Sequence, residues 1–424
     1  MGAKNTIPIH SIILICCFYL SLIRGTSIGL FYPSSELQLN SIDYTLIKYM
    51  NYALLVGIIG YLFTANNYRV LLDKALKPPI LIFISICLIS IIFSDEKVQS
   101  LKHAIALIAI SFPIIFYIYR YGSDNLLDEI SRFIILLSIA SLLYVIIMPQ
   151  YGMMSGKHDG AWRGLFDHKN NSGPFFALGF YFLLNRLQSL KKKHIISLML
   201  GMVICILFVV FSKSSTAIIT FIMAGALYFG MQIMYRFKNA AERLGLFLAL
   251  FSLLILSIFF GAGKFNDIIH STTGKDATLS GRTEIWAPLM DLSYERPLYG
   301  YGLGIAQRPK FLKRIHKFID FKPKSTHNSY IDLILGIGYP GAILFLILVL
   351  KVIFTNLICH IDNLTILRNK ALFMSILLSL FLVSFTSSFI LLGRSFVWIS
   401  FLSALLCLAQ PSSHKDNDSP TGKT

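Results

Sequence analysis

The sequence predicts an all-α protein that crosses a membrane many times, and three observations carry that expectation. Hydrophobic residues make up 55% of the 424 positions and charged residues only 14%, less charge than a water-facing surface needs. Mean hydropathy is correspondingly high, at +0.67. Apolar runs of roughly 17–22 residues recur along the chain, the length a helix needs to cross a ~30 Å hydrocarbon core. The short connections between those runs alternate between richer and poorer in Lys and Arg, as cytoplasmic and external loops do.

Taken in order, about twelve spans are expected: 7–23, 45–65, 79–94, 103–119, 130–148, 173–187, 195–212, 215–235, 244–261, 330–358, 371–391 and 394–410. The first, Ile7 to Ile23, lacks a small-residue cleavage site and reads as an anchor. The run from 330 to 358 is long for one crossing and contains Gly336, Gly338, Pro340 and Gly341. A short helix, a break near Pro340 and then the true crossing are expected there. The chain thus divides into nine helices over 1–260, a large loop over 261–329, three helices over 330–410 and a polar tail over 411–424. The tail is rich in Ser, Asp, Asn and Lys and is expected to be disordered. No internal repeat is visible.

Charge sets the orientation. With the N-terminus inside, cytoplasmic loops receive Arg69, Lys74 and Lys77, then Arg186 with Lys191–Lys193, then Arg236, Lys238 and Arg243, then Arg368 and Lys370. The opposite short loops hold fewer, so both termini are expected to be cytoplasmic. The formal charge of +17 is then explained by retained loop cations and anionic lipid, with no nucleic-acid partner. Cys16, Cys17, Cys87, Cys205, Cys359 and Cys407 all lie in apolar runs without metal-ligand spacing, so neither disulfide nor zinc is expected.

The 261–330 interval holds most of the residues able to do chemistry. Lys264, Lys275, Arg282, Arg296, Arg308, Lys310, Lys313, Arg314, Lys317, Lys322 and Lys324 face few carboxylates within it. In the predicted topology this loop shares one outer face with the 149–172 loop, the 212–216 turn and the turn at Arg394. Arg163, His168, Lys169 and Asn170 crowd before an apolar span, and Trp162 beside them reads as an interfacial aromatic. Lys213, taken in isolation, reads as a snorkelling lysine. Arg282 stands ahead of an amphipathic segment, Thr283 to Leu292, that Ser280 or Thr283 can cap. His327 and Asn328 precede an apolar run and stand at the membrane interface. Together these residues suit the holding of a diphosphate at the lipid boundary, because Arg pairs bidentately with phosphate and Lys supplies a point charge. Asp159 and Asp167 are isolated, so no metal site is expected and the cations themselves must neutralise a departing pyrophosphate. No cofactor is expected.

Four motifs occur in order: Trp162-Arg163-Gly164 with Asp167-His168-Lys169-Asn170, Ser280-Gly281-Arg282-Thr283-Glu284-Ile285-Trp286, Pro297-Leu298-Tyr299-Gly300-Tyr301-Gly302, and Thr326-His327-Asn328-Ser329-Tyr330-Ile331-Asp332. Over roughly 150–400 the chain resembles the O-antigen ligase and O-antigen or exopolysaccharide polymerase superfamily of bacterial inner membranes, with motifs closest to the exopolysaccharide polymerases. The resemblance implies a GT-C-like glycosyltransferase with a partly helical periplasmic loop. Its donor would be a glycan on undecaprenyl diphosphate, and its acceptor a hydroxyl of another lipid-linked glycan or of lipid A-core. It implies metal-independent transfer with inversion, membrane lipids as surroundings and a chain-length regulator as a possible partner. The family's loop arginine maps to Arg282 and its histidine to His327. A further family arginine falls near Ser214-Ser215, where this chain has none and Lys213 is the nearest cation.

Three readings follow. In a polymerase, Arg282, Arg163, Lys169, Lys213 and Arg394 bind the diphosphate and His327 orients or deprotonates the acceptor hydroxyl, an imidazole of ordinary pKa ~6.5 being able to take a proton near neutrality. A ligase differs only in its acceptor. A lipid-linked oligosaccharide transporter would place ionisable groups near the bilayer midplane, where this sequence has almost none.

Overall fold

The computed structural model describes residues 8–26, 28–29, 45–65, 78–189, 194–252, 282–319, 323, 325–390 and 395–410. The helices are α1 (Ile9–Gly25), α2 (Thr45–Thr64), α3 (Pro78–Ile92), α4 (Lys97–Ile147), α5 (Lys169–Ser189), α6 (Ile195–Phe211), α7 (Ser215–Met234), α8 (240–252), α9 (Arg282–Glu295), α10 (Ser329–Ile358), α11 (Leu364–Val383) and α12 (Phe396–Ala409). Among the described residues strand pairing is limited to two isolated bridges, Ile28 with Phe166 and Met153 with Trp162. By length and composition α4, α7, α10 and α11 are able to cross a membrane, and α1, α6 and α12 are shorter apolar helices. This is a polytopic helical membrane protein. Each of the twelve apolar segments read from the sequence overlaps a helix or a helical arm, the ninth being described only to residue 252.

Two helices are broken, and each break has a glycine in the left-handed region. In α4 it is Gly122 (φ 81°, ψ 173°), which separates arms 97–121 and 123–147. Each arm is ~37 Å long at 1.5 Å per residue. Near the start of the first arm, Ser100 lies beside Gly302 of the large loop, and near the end of the second Val145 lies beside Gly152. Between them, Asp124 accepts from Asn369 Nδ2 and Asp128 pairs with Arg186. The two ends therefore share one face of the bundle and the middle lies at the other.

In α10 the break is at Gly338 (φ 74°, ψ 174°), two residues before the expected Pro340. Freed backbone groups in a membrane protein must find partners. Here the Pro297–Gly302 motif supplies them: Tyr301 N–H donates to Leu335 O at 2.7 Å, Gly302 N–H to Gly336 O at 3.1 Å, and Tyr339 N–H to Pro297 O at 2.8 Å. Stacking of Tyr299 on Phe93, with ring centroids 3.9 Å apart, ties the same motif to the α3–α4 turn.

Helices in lipid gain little from burying apolar surface against each other, so close packing and buried polar bonds hold them. The face opposite the large loop carries such a network: Asn185 donates to Asn369 at 2.8 Å, Asn369 to Asp124 at 2.6 Å, and Tyr228 to Asn185 at 3.0 Å. Arg243 is buried there, its guanidinium donating to the carbonyls of Leu357, Phe237, Lys238 and Ile358. Arg186, Arg243 and Arg368, three of the cations used to orient the chain, gather on this face. The expected cations at 69, 74, 77 and 191–193, and the 411–424 tail, lie outside the described residues.

Candidate active site

The His327 turn is pinned from three directions. Asn328 caps α10, its Oδ1 accepting from the N–H groups of Tyr330 at 2.9 Å and Ile331 at 3.2 Å. Beyond the end of α11, Ser384 O accepts from Ser329 N–H at 2.9 Å, and Ser329 Oγ donates to Ser387 O at 2.8 Å. From the large loop, Trp286 Nε1 donates to Thr326 O at 2.9 Å. His327 itself has φ 54°, a left-handed conformation that costs a residue with a Cβ ~1–2 kcal/mol. Such strain persists only where the surroundings over-determine it. Thr326 and Asn328 on either side are buried, while His327 is half-exposed.

Trp286 lies four residues, or ~6 Å of helix, beyond Arg282, so the hydrogen bond to Thr326 brings the start of α9 to the His327 turn. The Arg282 side chain and Arg394 lie outside the described residues, as does Ser280-Gly281.

A second cluster forms where the 149–168 connection meets the α6–α7 turn. The Trp162 ring stacks on Phe211 at 4.7 Å, and its backbone N–H donates to Phe211 O at 2.9 Å. Here α5 starts at Lys169, four residues before the expected span, so His168, Lys169 and Asn170 sit at a helix N-terminus. His168 Nδ1 accepts from Asn170 N–H at 3.1 Å. Lys169 is buried and its Nζ donates to Lys213 O at 2.9 Å. Lys213 is exposed, has φ 48°, and reaches back to Asp159 O at 3.1 Å. Ser214 Oγ donates to Asn170 Oδ1 at 3.3 Å. The N-termini of α5, α7 and α10 thus open on the same face as these lysines, and helix N-termini favour anions. α7 and α11 pack against each other, so this cluster and the His327 turn sit at the ends of neighbouring helices.

Arg163 has a different place from the expected diphosphate ligand. It is fully buried, and its guanidinium donates to Tyr151 O at 2.7 Å and Asp167 O at 3.0 Å. Burial pushes its pKa down from the ordinary arginine value, with Tyr144 and Asp167 acting against that. The side chain ties the connection together from inside.

The cationic surplus of the large loop is also smaller than the interval suggests. Asp95, in the α3–α4 turn, pairs with Arg296 at 2.8 Å and Arg314 at 2.6 Å, and Glu96 lies 4.0 Å from Lys310. Both arginines lie over the Tyr301 ring, at 4.7 and 5.2 Å. Burial and a 2.7 Å bond to Glu295 push the Tyr301 hydroxyl up to about 12.

Sequence reading gave no role to Thr326, Asp332 or Ser388, whose side chains meet beside the His327 turn. It also passed over His103 and Gln307, which with Asp332 line a cavity of about 20 Å³, roughly the size that holds one water. The Asp at the end of the Thr-His-Asn-Ser-Tyr-Ile-Asp motif was the available signal for one of these. Among the described residues no three His, Cys, Asp or Glu side chains converge to hold a metal ion.

The O-antigen ligase family model matches residues 200–346, a stretch from α6 into α10 that contains Lys213, Arg282 and His327 but not Arg163 or His168–Asn170. The chain is also 25% identical over 229 residues to "Exopolysaccharide production protein ExoQ" of Rhizobium meliloti (strain 1021), an alignment covering 51% of each chain. The chain therefore spans about half the length of that relative. Over these stretches the chain is similar to proteins of the O-antigen ligase and polymerase superfamily.

Proposed function

We propose that this protein is a polysaccharide polymerase of the bacterial inner membrane, crossing it about twelve times with both termini cytoplasmic and the active face periplasmic. It moves a glycan from undecaprenyl diphosphate to a hydroxyl of a second lipid-linked repeat unit. The acceptor oxygen bonds to the anomeric carbon as the bond from that carbon to the diphosphate oxygen breaks. The diphosphate leaves with the electron pair, the hydroxyl proton passes to the His327 imidazole, and attack from the opposite side inverts the centre. Arg282 and Lys213 carry the leaving charge, assisted by Arg394 and the α5 and α7 N-termini. Lys169 acts by holding the Lys213 turn.

The observation that supports this most directly is the Trp286–Thr326 bond, which docks the helix begun by Arg282 on the turn bearing His327. A preorganised cation beside a base is what displacement of a diphosphate requires. The polymerase reading is preferred over ligase because the curated relative is named for exopolysaccharide production. A deletion strain separates the two: single-repeat glycan is expected from loss of a polymerase, and full-length glycan stranded on its carrier would instead assign a ligase.

A further inference from the structure

Thr326, directly before His327, is buried, and its hydroxyl is fully used. A threonine hydroxyl has one hydrogen to donate and two lone pairs with which to accept. Asp332 Oδ1 lies 2.5 Å away, Ser388 Oγ 3.0 Å and the Asn328 N–H 3.3 Å. The Asn328 carbonyl, 3.2 Å away, competes for the hydrogen, but the carboxylate is nearer and charged and so takes it. Ser388 and the Asn328 N–H then fill the lone pairs. The carboxylate thereby sets the direction of a hydroxyl that grips the backbone on the far side of His327.

Capping α10 does not require this aspartate, since Asn328 already satisfies the first N–H groups. Nor does Asp332 repay its burial through a complete set of bonds. Its Oδ2 is sealed from solvent with no partner at ordinary hydrogen-bond length among the described residues, although Ser388 and Gln307 lie near enough to act on the carboxyl, and the residue borders the small cavity shared with His103 and Gln307. A sealed carboxylate oxygen left without a partner is destabilising, so a purely architectural reason for it is weak. What the carboxylate does reach is the turn in which His327 is held left-handed.

We propose that Asp332 is a positioning residue for His327, acting through Thr326 Oγ1 to fix the 326–328 backbone from which the imidazole meets the acceptor hydroxyl. The inference rests on the reading of His327 as the group that handles that proton. It adds a residue which neither the family match nor the motif's histidine assigns.

The test uses the full chain in proteoliposomes supplied with purified lipid-linked repeat units. T326S, T326V, D332N, D332A and T326V/D332A are compared with wild type and H327A for kcat, donor KM and melting temperature. T326S keeps the hydroxyl and is expected to hold kcat within about twofold. T326V and D332A are each expected to lower kcat ~100-fold, the scale of a misplaced catalytic group, with donor KM unchanged. D332N, which retains an acceptor without the charge, should fall between. Because both singles break one link, the double variant should be no slower than the slower single. Losses that multiply in the double variant, a T326V rate equal to wild type, or a T326S loss as large as that of T326V would overturn the inference. Should the alanine variant fail to fold, T326S against T326V and D332N still decides. A wild-type rate for H327A removes the underlying reading, and this inference with it. Loss in H327A with full activity in T326V and D332N removes the inference alone.

Discussion

Replacing Trp286 with Phe removes one hydrogen bond and leaves most of the ring packing in place. The bond runs from Nε1 to the Thr326 carbonyl at 2.9 Å, and Thr326 has no exposed surface. A typical intramolecular hydrogen bond is worth ~0.5–1.5 kcal/mol net, and a buried carbonyl left without its donor costs ~1–3 kcal/mol. At about 1.4 kcal/mol per decade, a loss near 2 kcal/mol raises the undocked population of α9 ~30-fold. Two measurements follow it. Limited proteolysis of the 282–319 region in proteoliposomes should speed up by that order, since cleavage tracks the open population when reclosing is fast. Chain extension should slow, because α9 carries Arg282. Unchanged proteolysis together with unchanged extension would refute the idea that this bond holds the two halves of the site together. Faster cleavage with normal extension would mean that α9 docking does not serve the reaction.

Alanine at position 327 should abolish extension at normal protein level, and wild-type polymer length from that variant would remove His327 from the site. Replacement of Arg163 by Met should reduce the amount of folded protein, by the ~3 kcal/mol or more that follows loss of a buried charged donor to two carbonyls, while the donor KM of what remains stays constant. A raised KM at full protein level would restore Arg163 as a ligand. Asp95→Asn releases Arg296 and Arg314, both part-exposed, so a loss of only ~1–2 kcal/mol is expected, falling in high salt, read by melting temperature at two ionic strengths. Gly338→Ala places a Cβ against the Leu298–Tyr299 backbone at φ 74°. Loosening of the Pro297–Gly302 segment, seen as faster proteolysis there, is the expected outcome.

Much of the architecture could be read in the chain alone, because lipid enforces it. A segment that crosses hydrocarbon must be apolar for some twenty residues and must satisfy its own backbone, so helix positions follow from local composition. The α10 break was visible for the same reason, since Gly336, Gly338, Pro340 and Gly341 interrupt one apolar run. His327 and Asn328 were visible as polar residues at the mouth of a span. Partnership was not visible. The sequence counts Arg296 and Arg314 as surplus charge, but Asp95, some two hundred residues earlier, pairs with both. Arg163 looks like an anion ligand in its motif, yet folding buries it and turns it toward carbonyls. The Pro297–Gly302 motif gives no hint by itself that its backbone completes a broken helix. Thr326, Asp332 and Ser388 become one group only when α10, the end of α11 and the large loop meet. Composition acts over a window of neighbours, whereas pairing of charges and hydrogen bonds depends on distances that exist only once distant segments have packed.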